Sequence, residues 1–351
     1  MRSEDWLSVL REGCVIPAHP LALTKERKLD ERRQRALTRY YIAAGAGGVA
    51  VGVHTTQFEI RRPEVNLLEP VLRIAAEVID EAQLDKPFIK IAGAVGPTEQ
   101  AVREAELARE LGYHAVLLSN GGLGHLSNDE LIERTRRVGE VLPVVGFYLQ
   151  PSVGGRVLDY AFWRALADLP SVVAIKIAPF NRYQTFDVVR AVCESDRRDA
   201  IALYTGNDDN IVVDLLTRYR IMVGNKPVEK SIVGGLLGHW AVWTRSAVEI
   251  FEKVRAVREK GEGIPHEMLT LAAQVTDMNA AIFDPQGGFR GSIAGVHEVL
   301  RRQGLLEGIW CLNPNETLSP GQAEEITRVT SAYPHLVDDE FVRAHLDEWL
   351  K

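Results

Sequence analysis

A lysine interrupts an otherwise apolar stretch of the sequence between residues 171 and 178. The segment SVVAIKIAP predicts a β-strand, because valine and isoleucine are common in strands and Pro179 ends the run. Side chains alternate between the two faces of a strand, so Lys176 shares a face with Ala174 and Ala178. Small neighbours leave room against the amine, and burial lowers the pKa of a lysine, which favours the free amine. Such an amine can form a Schiff base with a carbonyl compound.

The sequence leaves a second interpretation of Lys176 open. A lysine on a strand can also cover apolar neighbours with its methylene stem while its charge reaches solvent at the strand end. Two further lysines, Lys90 and Lys230, lie in predicted strands, but each comes early in its strand. Active sites of parallel barrels lie where the strands end. Position along the strand therefore favours Lys176 as the reactive amine.

The elements that must position this lysine alternate regularly along the chain. Between Cys14 and Arg258, short apolar runs alternate with segments whose apolar residues recur at helical spacing, which predicts eight strand–helix units and a parallel sheet. Eight units of this length predict an α/β fold of the (β/α)8 TIM barrel type. The alternative, a doubly wound open sheet, would have a glycine-rich turn after its first strand, but the glycines at 45–48 precede the second. The predicted strands cover residues 14–18, 48–53, 87–95, 115–119, 143–150, 171–178, 200–204 and 230–235.

The alternation stops after Gly261, and the rest of the chain is predicted to be helical. Four segments joined by loops rich in glycine and proline have enough apolar positions to pack on the barrel or on another subunit. We therefore expect two domains, a (β/α)8 barrel with the catalytic site over residues 1–258 and a C-terminal helical domain over residues 259–351. The predicted C-terminal helices cover residues 266–283, 289–303, 319–332 and 338–350.

The composition is that of an ordinary globular protein and argues against two classes of partner. The 351 residues are 46% hydrophobic and 25% charged, and the net charge of −7 does not favour binding to nucleic acid or to an anionic membrane. The three cysteines are widely spaced and odd in number, which predicts reduced thiols rather than a disulfide framework. No signal peptide and no apolar run of membrane-spanning length is recognised, so a cytoplasmic protein is expected.

Polar side chains follow several predicted strands, at the end where a (β/α)8 barrel carries its active site. Two adjacent threonines can bind a carboxylate, a tyrosine beside the lysine strand can move protons, and glycines can leave space for a substrate. Structural alternatives remain: local turns for the threonines, core packing for the tyrosine, and helix capping for Asp208 and Asp209. The histidines form no spaced metal motif, so no metal is expected. The candidates besides Lys176 are His54, Thr55, Thr56, Tyr148, Arg182, Gly206, Asn207 and Gly234.

The segments that carry these residues resemble the dihydrodipicolinate synthase / N-acetylneuraminate lyase family of class I aldolases and dehydratases. VHTTQFE is similar to the family's Gly-Thr-Thr-Gly-Glu segment, FYLQPSVGG to its Tyr-x-x-Pro segment, and YTGND to its Ser-Gly-Asp segment. The resemblance runs over nearly the whole chain and implies a Schiff base on Lys176 and proton transfer by Tyr148. It also implies that Thr55 and Thr56 bind the carboxylate of a 2-oxo acid, and that the chain forms a homotetramer or a dimer.

The chain departs from the synthase pattern in the half of the site that would bind a second substrate. Val153 stands where the synthase has an arginine for the carboxylate of its aldehyde, and SNGGLGH replaces a pair of tyrosines. His54 and Gln57 replace the two glycines of the threonine segment, and Phe58 its glutamate. The resemblance therefore implies a retained 2-oxo acid site and an altered second-substrate site, and not the lysine-biosynthesis enzyme itself.

The sequence supports one leading hypothesis and several alternatives. The leading one is a Schiff-base lyase of the aldolase type that acts on pyruvate or another 2-oxo acid, with an aldehyde as second substrate and no cofactor beyond the imine on Lys176. A dehydratase of a deoxy-keto sugar acid would use the same chemistry. A barrel that binds a keto acid without turnover, and a metal-dependent barrel lyase, remain as further alternatives.

Overall fold

Eight parallel strands form a nearly closed barrel in the computed structural model, which describes residues 5–351. The strands follow one another around the barrel in the order β1-β9-β7-β6-β5-β4-β3-β2, and a single bridge between Ala18 and Ala50 joins the two ends. The predicted TIM-barrel fold is thereby confirmed. The barrel strands are β1 (Val15–Pro17), β2 (Gly48–Val51), β3 (Ile89–Ala94), β4 (Ala115–Leu118), β5 (Val144–Leu149), β6 (Val172–Ala178), β7 (Ala202–Thr205) and β9 (Lys226–Leu237).

Helices surround the barrel and continue beyond it into a C-terminal helical region. Among the described residues, none of the helices combines the length and the apolar character that crossing a membrane would require. Those up to the last barrel helix are α1 (Asp5–Glu12), α2 (Glu31–Ala44), α3 (Leu68–Glu81), α4 (Thr98–Glu110), α5 (Asn128–Gly139), α6 (Tyr160–Ala167), α7 (Arg182–Cys193), α8 (Ile211–Leu216) and α9 (Thr244–Lys260). The C-terminal region contains α10 (His266–Phe283), α11 (Ser292–Arg302), α12 (Gln322–Ala332) and α13 (Asp339–Trp349).

One additional strand, β8 (Arg218–Val223), was not predicted. It pairs antiparallel with the first half of β9 around a turn at Gly224, whose φ is +58°. The sequence RYRIMV alternates polar and apolar residues with a period of two, and Ile221 is its buried member. This period belongs to a strand rather than to a helix, and α8 ends at Leu216.

The alternation of side chains along the strands divides the apolar residues into two layers. Phe147, Ala178 and Tyr204 lie in a cluster inside the barrel. Tyr148 and Ile175 lie in a larger cluster between the strands and the surrounding helices. Side chains of neighbouring residues mostly point to opposite layers. β-Bulges between β5 and β6 and between β7 and β9 interrupt this alternation, and on β6 both Val173 and Ala174 lie in the inner cluster.

The C-terminal helices share the outer hydrophobic cluster of the barrel. Met278 and Ile282 of α10, together with Val296 of α11, belong to that cluster and are nearly inaccessible to solvent. Residues of α11 and of the loop before it also reach the open end of the barrel, where they line its central cavity. The region after the barrel therefore supplies part of the wall around the candidate site.

Candidate active site

The side chain of Lys176 points into the barrel from the middle of β6. Its neighbours in register are Phe147 on β5 and Tyr204 on β7, and the amine lies 4.5 Å from the centre of the Phe147 ring. Only 8% of Lys176 is exposed. Burial lowers the pKa of the lysine from 10.5 to about 8, although the charge of Asp208 opposes this shift. About a tenth of the amine is therefore uncharged at pH 7.

Gly206 lies directly against the lysine stem, at the end of β7. A Cβ atom on Gly206 would lie 2.6 Å from Cε of Lys176 and 2.8 Å from Cβ of Ala178, closer than such atoms can approach. The missing side chain therefore gives the lysine its position in the cavity. The structure brings these two predicted residues together, with Gly206 in contact with the amine-bearing stem.

Asp208 is a buried carboxylate on the wall of the same cavity, and the sequence prediction missed its role. One of its oxygens, Oδ1, accepts a hydrogen bond of 2.8 Å from the backbone N–H of His239. Burial raises the pKa of the Asp208 carboxyl to about 7, while this hydrogen bond and the charge of Lys176 act in the opposite direction. The sequence shows that Asp208 follows a strand, but a role as the N-cap of the next helix explained this position equally well. In the structure, the N-cap residue of α8 is Asn210 instead.

His54, Thr55 and Thr56 form a single 3-10 turn after β2, but only two of them line the cavity. Thr55 is buried and faces the cavity. The hydroxyl of Thr56 donates to the carbonyl of His19 at 2.7 Å and accepts from the N–H groups of Gly52 and Val53, so it stabilises the turn instead.

His54 lines the cavity as an uncharged imidazole. Burial and, to a smaller extent, the nearby charge of Lys176 lower its pKa from 6.5 to about 4. At neutral pH, His54 therefore offers one N–H donor and one acceptor, and no positive charge for a substrate carboxylate.

Tyr148 does not line the cavity, contrary to the position beside Lys176 that its predicted role in proton transfer requires. The side chain lies between β5 and the helices, where its ring packs 4.9 Å from that of Trp163. Its hydroxyl donates to the carbonyl of Leu158 at 3.1 Å and accepts from the N–H of the same residue at 3.2 Å. The preceding residue, Phe147, faces the lysine, because adjacent side chains on a strand point to opposite sides.

Asn207 and Arg182 also lie outside the cavity, in a polar network around Asp214. The amide oxygen of Asn207 accepts from the N–H of Phe180 at 3.0 Å, and its nitrogen donates to Asp214 at 2.9 Å. Arg182 forms an ion pair with the other oxygen of Asp214. These contacts hold the ends of β6 and β7 together. Asn207 and Arg182 therefore bond to neighbouring protein groups, and neither faces the cavity where a substrate contact was predicted.

Gly234 makes no open space for a substrate, contrary to the prediction. A Cβ atom there would lie 2.6 Å from the carbonyl oxygen of Cys14 and 2.6 Å from a ring carbon of Tyr204. The glycine is thus required by close packing of β9 against β1 and the Tyr204 ring. The glycine of this strand end that does line the cavity is Gly238.

The cavity around Lys176 has a volume of about 60 Å³ and opens at the end of the barrel where the strands terminate. Its polar side includes Thr55 and Asp208, and its remaining wall is largely apolar. Ser292, Ile293 and Val296 of α11 complete it, a contribution that the sequence did not predict. Across the residues that the structure describes, no cluster of three or more His, Cys, Asp and Glu side chains has a geometry that could hold a metal ion.

The arrangement brings an amine, a carboxyl group and a hydroxyl group together in one cavity. The amine of Lys176 has a pKa low enough to supply free amine near neutrality, and Asp208 has a pKa at which it can hold or release a proton. Thr55 adds a hydroxyl donor on the same wall. Such a set of groups can form an imine with a small carbonyl compound.

Comparison with known proteins identifies the same family that the motifs resemble. Residues 13–219 match the model of the dihydrodipicolinate synthetase family. A 4-hydroxy-tetrahydrodipicolinate synthase of Bifidobacterium longum (strain DJO10A) is 27% identical over 198 residues, which are 56% of this chain and 60% of the relative. An N-acetylneuraminate lyase of Citrobacter koseri is 31% identical over 206 residues, or 58% of this chain and 65% of the relative. The match thus spans less than two thirds of the length of these relatives.

Solved structures support the fold over almost the full chain. The dihydrodipicolinate synthase of Oceanobacillus iheyensis has a TM-score of 0.73 at 14% identity, covering 94% of this chain and 99% of that one. The N-acetylneuraminate lyase of Fusobacterium nucleatum complexed with pyruvate has a TM-score of 0.71 at 16% identity, covering 93% of this chain and 98% of that one. At these identities the likeness concerns the architecture alone.

Proposed function

Because the chain belongs to the dihydrodipicolinate synthetase family, we propose that it is a lyase of the aldolase type that forms a Schiff base between Lys176 and a 2-oxo acid such as pyruvate. Family membership supports a lyase or aldolase in general. The observation that carries the specific proposal is the buried amine of Lys176, whose pKa is lowered to about 8, in a cavity that also contains Asp208.

Imine formation requires the uncharged amine and a proton carrier. The Lys176 nitrogen adds to the C2 carbonyl carbon of the 2-oxo acid, and a proton passes from this nitrogen to the carbonyl oxygen to give a neutral carbinolamine. Loss of this hydroxyl as water, with a proton from Asp208, gives the iminium ion. Asp208 suits this step because burial keeps its pKa near 7, where it can donate a proton and take it back.

The iminium ion then activates the adjacent carbon of the bound acid. Loss of a proton from C3 gives an enamine, whose C3 attacks the carbonyl carbon of an aldehyde, and the aldehyde oxygen is protonated. Hydrolysis of the new imine releases the product and the free amine of Lys176, and cleavage is the reverse sequence. In this proposal Thr55 donates its hydroxyl hydrogen to the acid's carboxylate, which is supported by its position on the cavity wall, where Thr56 does not lie.

Reductive trapping with pyruvate tests this proposal directly. Borohydride delivers hydride to the iminium carbon and converts the imine into a stable secondary amine, which intact-protein and peptide mass spectrometry can locate. We expect one reduced pyruvate adduct on the peptide that contains Lys176, and none in Lys176→Ala. Lys90→Ala is the matched control, because Lys90 is also a buried strand lysine but pairs with Asp80 at 2.8 Å, outside the cavity. An adduct elsewhere, or none with a panel of 2-oxo acids, would contradict the proposal and favour a non-catalytic binder.

A further inference from the structure

Four phenylalanines surround the part of the cavity that extends from Lys176 toward solvent. Phe147 contacts the amine, while Phe180, Phe283 and Phe289 come from the end of β6, the end of α10 and the loop that follows it. The last three are only half-buried although they line a concave space. Apolar rings that stay partly exposed in a cavity are the usual lining of a site for an apolar ligand.

The rings are held in position by backbone and packing contacts. Phe180 and Phe289 pack edge to face, with ring centres 5.7 Å apart. Both have a positive φ, 54° for Phe180 and 65° for Phe289, a conformation that is costly for bulky residues and persists only when the surroundings fix it. The Phe180 N–H donates to Asn207 at 3.0 Å, which anchors one of these strained residues.

The same wall lacks a positive charge that could bind a charged second substrate. Lys176 is the single lysine or arginine on the cavity wall within residues 5–351. Arg156 donates to the carbonyl groups of Leu123 and Leu126, and Arg182 pairs with Asp214, so both are engaged elsewhere. The two polar side chains that accompany the rings, Gln150 and Ser292, are uncharged.

We infer that the second substrate is an uncharged aromatic aldehyde, or that the cleaved substrate is the corresponding aldol adduct of a 2-oxo acid, with its ring among these four phenylalanines. This inference rests on the proposed Schiff-base chemistry of Lys176. An aromatic ring gains from burial against other rings and from edge-to-face contacts. A polyol or carboxylate would lose its hydration there without recovering equivalent hydrogen bonds.

The chemical step is the aldol addition already described, with an aromatic aldehyde as electrophile. The enamine carbon forms a bond to the aldehyde carbon, the aldehyde oxygen receives a proton, and water hydrolyses the resulting imine. No oxidant or reductant is consumed. The step forms a hydroxyl group on the former aldehyde carbon. The uncharged side chains of Gln150 and Ser292 on the cavity wall can hydrogen-bond to this group.

A comparison of three aldehydes with pyruvate on the full-length protein tests the inference. Benzaldehyde represents the apolar aromatic class, glyceraldehyde the polyol class and succinic semialdehyde the charged class. Formation of each adduct is followed by chromatography, and borohydride trapping of pyruvate is measured on the same preparation. We expect kcat/KM for benzaldehyde to exceed that for the other two by about tenfold or more, the discrimination that apolar pockets typically give.

Phe289→Asn removes one ring of the wall while keeping a residue type that tolerates a positive φ. We expect it to lower kcat/KM for benzaldehyde about tenfold and to leave the trapping of pyruvate unchanged. Phe186→Asn is the matched control, because Phe186 on α7 is 45% exposed and does not line the cavity. The control should retain the wild-type preference.

The outcomes separate this inference from the proposal on which it rests. Trapping of pyruvate on Lys176 without a preference for benzaldehyde, including no reaction with any of the three aldehydes, overturns the inference and leaves the Schiff base intact. Absence of trapping overturns both. The inference is also overturned if Phe289→Asn and Phe186→Asn reduce the preference for benzaldehyde equally. The loss would then not come from the cavity wall.

Discussion

The contact between Gly206 and Lys176 leads us to predict that one methyl group added at position 206 displaces the reactive amine. In Gly206→Ala, the new Cβ would lie 2.6 Å from Cε and 3.1 Å from Cγ of Lys176, and 2.8 Å from Cβ of Ala178. The methyl of Ala178 is fixed to the backbone of β6, whereas the lysine stem can rotate. We therefore expect the lysine stem to move away, whereas the contact with Ala178 can be relieved only by a shift of the backbone.

The displaced amine should react much more slowly. A shift of about 1 Å in a reacting group can cost about 10²-fold in rate, so we expect pyruvate trapping by Gly206→Ala to slow by about that factor. Overpacking of this kind typically lowers the free energy of unfolding by about 1–3 kcal/mol. The first quantity is measured from the time course of borohydride trapping, and the second from urea denaturation.

Two further variants show whether the effect comes from the lysine contact. Gly124→Ala is the control, because a Cβ at Gly124 would meet no atom within 4 Å. Adding Ala178→Gly to Gly206→Ala removes the contact with the Ala178 methyl but leaves the contact with the lysine. We expect this double variant to recover part of the stability and little of the rate. Wild-type trapping by Gly206→Ala would refute the assigned position of Lys176.

Three other predictions concern the groups around the amine. Because the uncharged amine reacts, the rate of imine formation at low pyruvate concentration should rise with pH as Lys176 loses its proton with a pKa of about 8, and should fall as Asp208, with a pKa of about 7, loses the proton that it donates. The pH–rate profile should therefore have a maximum between these two values. Asp208→Asn removes both the proton donor and the charge that raises the lysine pKa, so its profile should rise to a plateau that begins below pH 8, with a maximal rate about 10²-fold below that of the wild type. Tyr148→Phe should leave kcat within a few-fold of wild type. It should lower the free energy of unfolding by about 1–3 kcal/mol, because the buried N–H of Leu158 loses its hydrogen-bond acceptor. A large loss of kcat would instead indicate a catalytic role for Tyr148. Thr55→Val should raise KM for pyruvate about tenfold with little change in kcat, and an unchanged KM would show that its hydroxyl does not bind the carboxylate.

The fold could be predicted from the sequence because its evidence is local. Each apolar run and each segment of helical spacing can be recognised by itself, and their regular alternation leaves few possible topologies. The lysine strand was also informative by itself, since Ala174 and Ala178 marked the face of Lys176 as the one with free space. The strand β8 was missed because it begins only two residues after the end of the short helix α8, with no glycine or proline to separate the two elements.

The details of the site could not be predicted, because they depend on which face of each element turns inward. Strands of a parallel barrel are buried on both faces, so the adjacent rings of Phe147 and Tyr148 give no indication of which one points inside. Whether Asn207 or Asp208 faces the cavity depends on the conformation of the backbone after β7, and in the structure it is Asp208 that lines the cavity beside Lys176. The wall supplied by α11 depends on how distant helices dock, and no local pattern encodes that.

The cavity wall supplied by α11 has a consequence for the newly made chain. Ile293 and Val296 leave the ribosome more than a hundred residues after Lys176, so the amine is synthesised long before its enclosure is complete. Before α11 docks, the amine lacks this part of its apolar enclosure, so we expect its pKa to lie closer to the ordinary value and more of the amine to be protonated. Reactivity is thus expected to emerge only after α11 has been synthesised and has docked on the barrel.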